Sequence, residues 1–265
     1  MTDFKRFATN NPVLFGVLIT LLALLFYIAA SVFGAAAAGN AGRNLAEAVG
    51  RFSAAGLFVY LLWRFDWLNA SGVTSRGGAA AWLVTLLILV YETIAYQLAF
   101  FGDLTIQISN PAVSFSVGLN ALATGPIEEL PFRGIVLYAF LRLWGDTRKG
   151  IIRSVLYSAA LFGCSHLIHL AFGRPPDMVA MKVVMTFLSG IYFAALVLRW
   201  RTIWTVVLFH GALNAVISVR AVEVAGFTET ASALGMVALF QVPLVIFGAY
   251  LIWRVPPRQV VPNSS

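Results

Sequence analysis

Seven ionisable side chains lie within strongly apolar stretches of this chain: Glu92, Glu128, Glu129, Arg133, His166, His169 and His210. All three histidines of the protein are among them. A charged side chain at a bilayer centre costs about 2.5–3.5 kcal/mol on insertion scales, so each such residue is a functional candidate by default. Most of them gather in three stretches, which scattered structural polar residues would not do.

The densest stretch reads Gly125-Pro-Ile-Glu-Glu-Leu-Pro-Phe-Arg-Gly134. Adjacent residues of a helix point about 100° apart, so Glu128 and Glu129 cannot share one environment. Glu129 and Arg133 stand at i,i+4 with the acid first, the favourable order for an ion pair. Glu128 has no helical partner and is the candidate general base. Pro131 removes a backbone donor, so a bend is expected beside Glu128. Broken backbone is tolerated at membrane depth only where protein or a wet cavity receives it.

Two further stretches supply imidazoles. Phe162-Gly-Cys-Ser-His166 is followed one turn later by His169, and His210-Gly-Ala-Leu-Asn214 places two hydrogen-bond donors at i,i+4 on one helical face. Asn and neutral His both donate to oxygen. Such donors can stabilise the oxyanion of a tetrahedral intermediate, and losing one typically costs about 10²–10³ in rate.

These stretches require a membrane scaffold. Of the 265 residues, 60% are hydrophobic and 11% charged, with a mean hydropathy of +0.86. A soluble domain carries about 25% charged residues, so a soluble enzyme and a disordered chain are both excluded. The fold class read from the sequence is all-α, a polytopic membrane protein of about eight transmembrane helices around a buried polar site. The spans fall near 12–36, 52–70, 79–102, 112–142, 150–173, 178–200, 202–221 and 231–254. The chain reads as one membrane domain over 1–265, with its motif core at 125–214.

With both termini cytoplasmic, the outer segments hold only Arg43, Arg51, Arg174, Lys182 and Arg220 of the 18 basic residues. Apart from Arg133 inside a span, the rest lie on the inner side, as the positive-inside rule expects. The net charge of +7 is thereby assigned to lipid rather than nucleic acid, for which no basic run exists. The lone Cys164 offers neither a disulfide nor a thiolate metal site and is expected in the core. Lys182 is expected to snorkel to the interface.

Together, Glu128-Glu129-x-x-x-Arg133, Phe162-x-x-x-His166 and His210-x-x-x-Asn214 resemble the motifs of the CPBP intramembrane proteases. That family includes the type II CAAX prenyl endopeptidases and the bacteriocin-processing and immunity proteins. The resemblance implies a peptide-bond hydrolase of a cell membrane, with Glu128 activating water and His166 helping to hold it. It implies His210 and Asn214 as oxyanion donors and Glu129 and Arg133 as a supporting pair. Expected partners are a peptide or lipidated-protein substrate and the bilayer. No cofactor is required, although Glu128, His166, His210 and His169 are acceptable zinc ligand types.

Blander readings stand beside these. Glu128, His166, His210 and Asn214 could be interhelical hydrogen-bond partners, His169 a cavity-lining residue, and Glu92 a structural partner of Arg133. Buried Glu/His chains also serve proton-coupled transporters, and a non-proteolytic scaffold or immunity protein would keep the same fold.

Overall fold

A computed structural model of the protein describes residues 7–8, 10–104 and 108–257. Lys5, Arg6 and Arg258, counted above on the inner side, lie outside the described residues. Among the described residues every regular element is a helix: α1 (Pro12–Ala35), α2 (Gly39–Arg64), α3 (Ala79–Phe101), α4 (Pro111–Leu122), α5 (Thr124–Glu129), a π-helical turn (Leu130–Val136), α6 (Leu137–Trp144), α7 (Arg148–Ser165), α8 (Ile168–Ala171), α9 (Pro176–Trp200), α10 (Trp204–Glu223) and α11 (Ala231–Arg254).

Local chemistry sets several boundaries. Asn110, Thr147 and Thr230 cap α4, α7 and α11, each side chain accepting from the backbone N–H three residues on. Pro111 occupies the first turn of α4, where its missing N–H costs nothing. Gly102 closes α3 in the left-handed conformation.

Seven described helices are long and apolar enough to cross a membrane. The fourth crossing, 111–144, is built from α4, α5, the π turn and α6, which gives the eight passes expected. Their outer faces carry bare apolar side chains, such as Leu14, Leu18, Leu21 and Leu25 along α1 and Leu239 and Ile246 on α11. Water would not tolerate such stripes, whereas lipid tails do. The protein is thus an integral membrane protein.

The second crossing corrects the sequence expectation. It runs from Gly39 to Arg64 instead of 52–70, and residues 65–78 form a turn-rich loop. Arg43 and Arg51, assigned above to an outer loop, are therefore helical. They pair on either side with Glu47, at 3.1 and 3.4 Å. The i,i+4 ladder neutralises enough charge for this half of α2 to join the bundle.

Consecutive crossings run antiparallel, and this has an unexpected result. All seven tryptophans (63, 67, 82, 144, 200, 204 and 253) lie at helix ends or, for Trp67, in the loop 65–78, on one face of the bundle. Contacts tie that face together: the Trp204 indole donates to the Val73 carbonyl and Trp82 to that of Arg76. The guanidinium of Arg148 stacks on Trp253, that of Arg153 on Trp144, and that of Arg142 on Trp67. Tryptophan concentrates where headgroups meet water, so this face marks one membrane interface.

Candidate active site

Glu128 and Glu129 follow one another at the end of α5, and their environments differ as the 100° rule requires. The Glu129 side chain is fully buried, whereas that of Glu128 retains 18% exposure. The expected bend is the π turn, which starts one residue after Glu129 and contains Pro131. A wider turn absorbs the missing proline donor without ending the helix. The Ser158 hydroxyl of α7 donates to the Phe132 carbonyl at 3.0 Å, giving the loosened backbone an additional partner.

Glu129 and Arg133 form the buried ion pair foreseen from their spacing, with Nη1 3.2 Å from Oε1 and Nε 3.2 Å from Oε2. Arg133 is also clasped by aromatic faces, its guanidinium 4.2 Å from the Phe162 ring centroid and 5.3 Å from that of Phe193. This explains the phenylalanine four residues before His166: it covers the cation that holds Glu129.

His210 of α10 lies between the two glutamates. Its Nδ1 is 2.7 Å from Glu129 Oε1, and its Nε2 is 3.8 Å from Glu128 Oε2. A carboxylate only accepts, so Nδ1–H is the donor of the short bond. In the neutral ring Nε2 is bare, and it donates only when His210 carries a second proton.

His166 caps the C-terminal end of α7, at a turn within the span Arg148–Ala171. Its Nδ1 is 3.1 Å from the Phe162 carbonyl, which also only accepts, so the Nε2 lone pair is available elsewhere. Glu128, His166, His169, His210 and Asn214 all line one cavity of about 820 Å³. The cavity also borders Arg174 and Pro175 before α9 and Phe227–Glu229 after α10, on the face opposite the tryptophans.

What brings α5 against α10 is a backbone contact. A Cβ on Gly125 would collide with the Val207 carbonyl oxygen and lie 2.9 Å from Gly211 N. A Cβ on Gly211 would lie 3.2 Å from the Leu122 carbonyl carbon. Small residues at a membrane-helix crossing permit this approach. Gly125→Val is expected to destabilise the protein by about 1–3 kcal/mol through overpacking, read as a lower unfolding midpoint in detergent. An unchanged midpoint would mean that the crossing is not fixed by these glycines.

Other expectations need correction. Glu92 does not pair with Arg133; it accepts from the Tyr192 hydroxyl at 3.3 Å. Cys164 is exposed on the outer face of α7 rather than in the core. Lys182 points inward, lines the cavity and pairs with Glu229 at 3.3 Å. Among the described residues no three His, Cys, Asp or Glu side chains are grouped to hold one metal ion.

The sequence reading missed one part of the cavity wall. Arg51 of α2 is buried, donates to the Asn120 carbonyl and Thr124 hydroxyl, and stacks on Tyr27. Asn120, Thr124 and Glu128 follow at intervals of four along the fourth crossing and line the same cavity. The signal was present in the Arg43, Glu47, Arg51 periodicity, but the span had been placed after it.

The fold and these groups define a class: a polytopic membrane protein whose helices enclose an acid–imidazole centre on the wall of a chamber. Residues 109–216 match the family model described as "Type II CAAX prenyl endopeptidase Rce1-like", a peptidase family, and the matched segment contains all three motifs. No curated protein and no solved structure matches the chain.

Proposed function

We propose that the protein is an intramembrane endopeptidase that hydrolyses a peptide bond of a membrane-associated substrate. The observation that carries this reading is the convergence of Glu128, His166 and His210 on one cavity within the segment that matches a peptidase family. Candidate substrates are CAAX-type C-termini and leader-type peptides.

In this mechanism a water molecule sits between Glu128 and the bare Nε2 of His166. Glu128 takes one proton as the water oxygen attacks the scissile carbonyl carbon. The resulting oxyanion accepts from the Asn214 amide and from Nε2–H of His210 in its doubly protonated form. Glu129, fixed by Arg133, orients the imidazole through Nδ1 and stabilises its positive charge. Glu128 then returns its proton to the leaving nitrogen as the C–N bond breaks. The products are one carboxylic acid and one amine, and no metal is needed for the proton balance.

The test is turnover of a peptide panel by purified protein: a prenylated CAAX peptide, its unprenylated form and a leader peptide. His210→Ala is expected to lower kcat by about 10²–10³, the usual loss for an oxyanion donor. Cleavage at the wild-type rate would remove His210 from the mechanism. Chelator treatment is expected to leave cleavage unchanged. The transport reading predicts instead an ion flux in proteoliposomes that Glu128→Gln abolishes, with no cleavage of any peptide.

A further inference from the structure

A second, smaller cavity of about 80 Å³ opens on the tryptophan-bearing face, away from the chamber. Its wall includes Arg199, Arg201 and Arg254, with Arg133 also bordering it and Ser71 and Tyr138 between them; no Asp or Glu lines it. Among the described residues none of the three outer arginines forms an ion pair. Guanidinium groups that line one cavity repel one another unless an anion lies between them.

Backbone geometry adds an independent observation. Arg201 ends α9 at φ 54°, ψ 35°, the left-handed conformation that normally selects glycine at this helical position. A side chain held there against steric cost points to a role for the side chain. The loop 65–78 fastens that conformation: the Thr202 hydroxyl donates to the Ser75 carbonyl at 2.7 Å, and Ile203 N–H to Gly72.

We infer that this cavity binds the phosphate of an anionic phospholipid headgroup. At 10–15 Å³ per water-sized sphere, 80 Å³ holds about six, enough for a phosphate group but not a nucleotide. Planar guanidinium forks match phosphate oxygens in pairs. The tryptophans place the cavity at the depth where headgroups lie, which favours a lipid over a soluble anion. This inference does not rest on the proposed peptidase activity.

The full-length protein would be reconstituted in nanodiscs of phosphatidylcholine with one-fifth phosphatidylglycerol, and its retained lipid read by native mass spectrometry. One phosphatidylglycerol should be retained in preference to phosphatidylcholine. The triple variant Arg199→Gln, Arg201→Gln, Arg254→Gln should lose about 100-fold of that preference, at roughly fivefold per basic side chain. A control triple on the same face, Arg64→Gln, Arg76→Gln, Lys149→Gln, removes equal charge. It should shift the preference by less than about threefold, because these side chains line no common cavity and each acts singly through screening solvent.

If the first triple variant does not fold, Arg254→Gln alone should still cost about fivefold. Equal losses in both triples would reduce the effect to general surface charge and overturn the site. Displacement of the lipid by millimolar inorganic phosphate would overturn the lipid assignment in favour of a free anion. No preference in the wild type would overturn both.

Discussion

Glu128→Gln is expected to lower kcat for peptide cleavage by about 10³–10⁴ while leaving KM within a fewfold of wild type. General-base catalysis contributes about 10²–10⁴, and here the same carboxyl also delivers the proton to the leaving nitrogen, so the upper part of that range applies. Glutamine keeps the size of the side chain and its polar contact toward His210 but cannot carry a proton between water and amine. The unfolding midpoint should barely move, because the Glu128 side chain is partly exposed to the chamber and belongs to no close ion pair other than its 3.8 Å approach to His210. Steady-state kinetics on the best peptide of the panel, beside a thermal melt, give both numbers. A variant that still turns over at a tenth of the wild-type rate would show that another group activates the water.

Arg133→Met is expected to behave differently. It removes the cation from a fully buried pair and leaves Glu129 facing only His210. Stranding a buried charge costs about 3–5 kcal/mol, far more than the pair itself contributes. The protein should therefore lose most of its stability in detergent unfolding curves as well as its activity. Adding Glu129→Leu to Arg133→Met should recover much of the stability but none of the activity, since nothing then orients His210. If the double variant is no more stable than the single one, the loss comes from the aromatic clasp of Phe162 and Phe193 around the guanidinium and not from the stranded carboxylate.

Much of the fold was legible because apolar run length is a coarse and strong signal. The spans beginning at Pro12, Ala79 and Ala231 agree with the sequence reading to within a residue or two. The second crossing was misplaced because Arg43, Glu47 and Arg51 make Gly39–Arg51 look like a loop; only once the stretch is helical do both arginines reach the one glutamate. The same error hid Arg51 from the cavity. The Glu129–Arg133 pair was legible because it depends on spacing along one helix. The His210–Glu129 bond was not, because it depends on a glycine-mediated crossing of two helices 81 residues apart in sequence. Cys164 and Lys182 were misjudged for a related reason: local hydrophobicity does not say which side of a helix faces lipid and which faces the chamber.

The π turn between α5 and α6 carries a wider implication. One surplus residue in a helical rod rotates everything beyond it by about 100° relative to an uninterrupted rod. The half ending at Trp144 is therefore turned by that angle relative to the half bearing Glu128. That rotation lets Leu137–Leu141 lie wholly inside the bundle while Glu128 keeps its edge on the chamber. A single strut can in this way serve two masters, one chemical and one mechanical, without compromise between them.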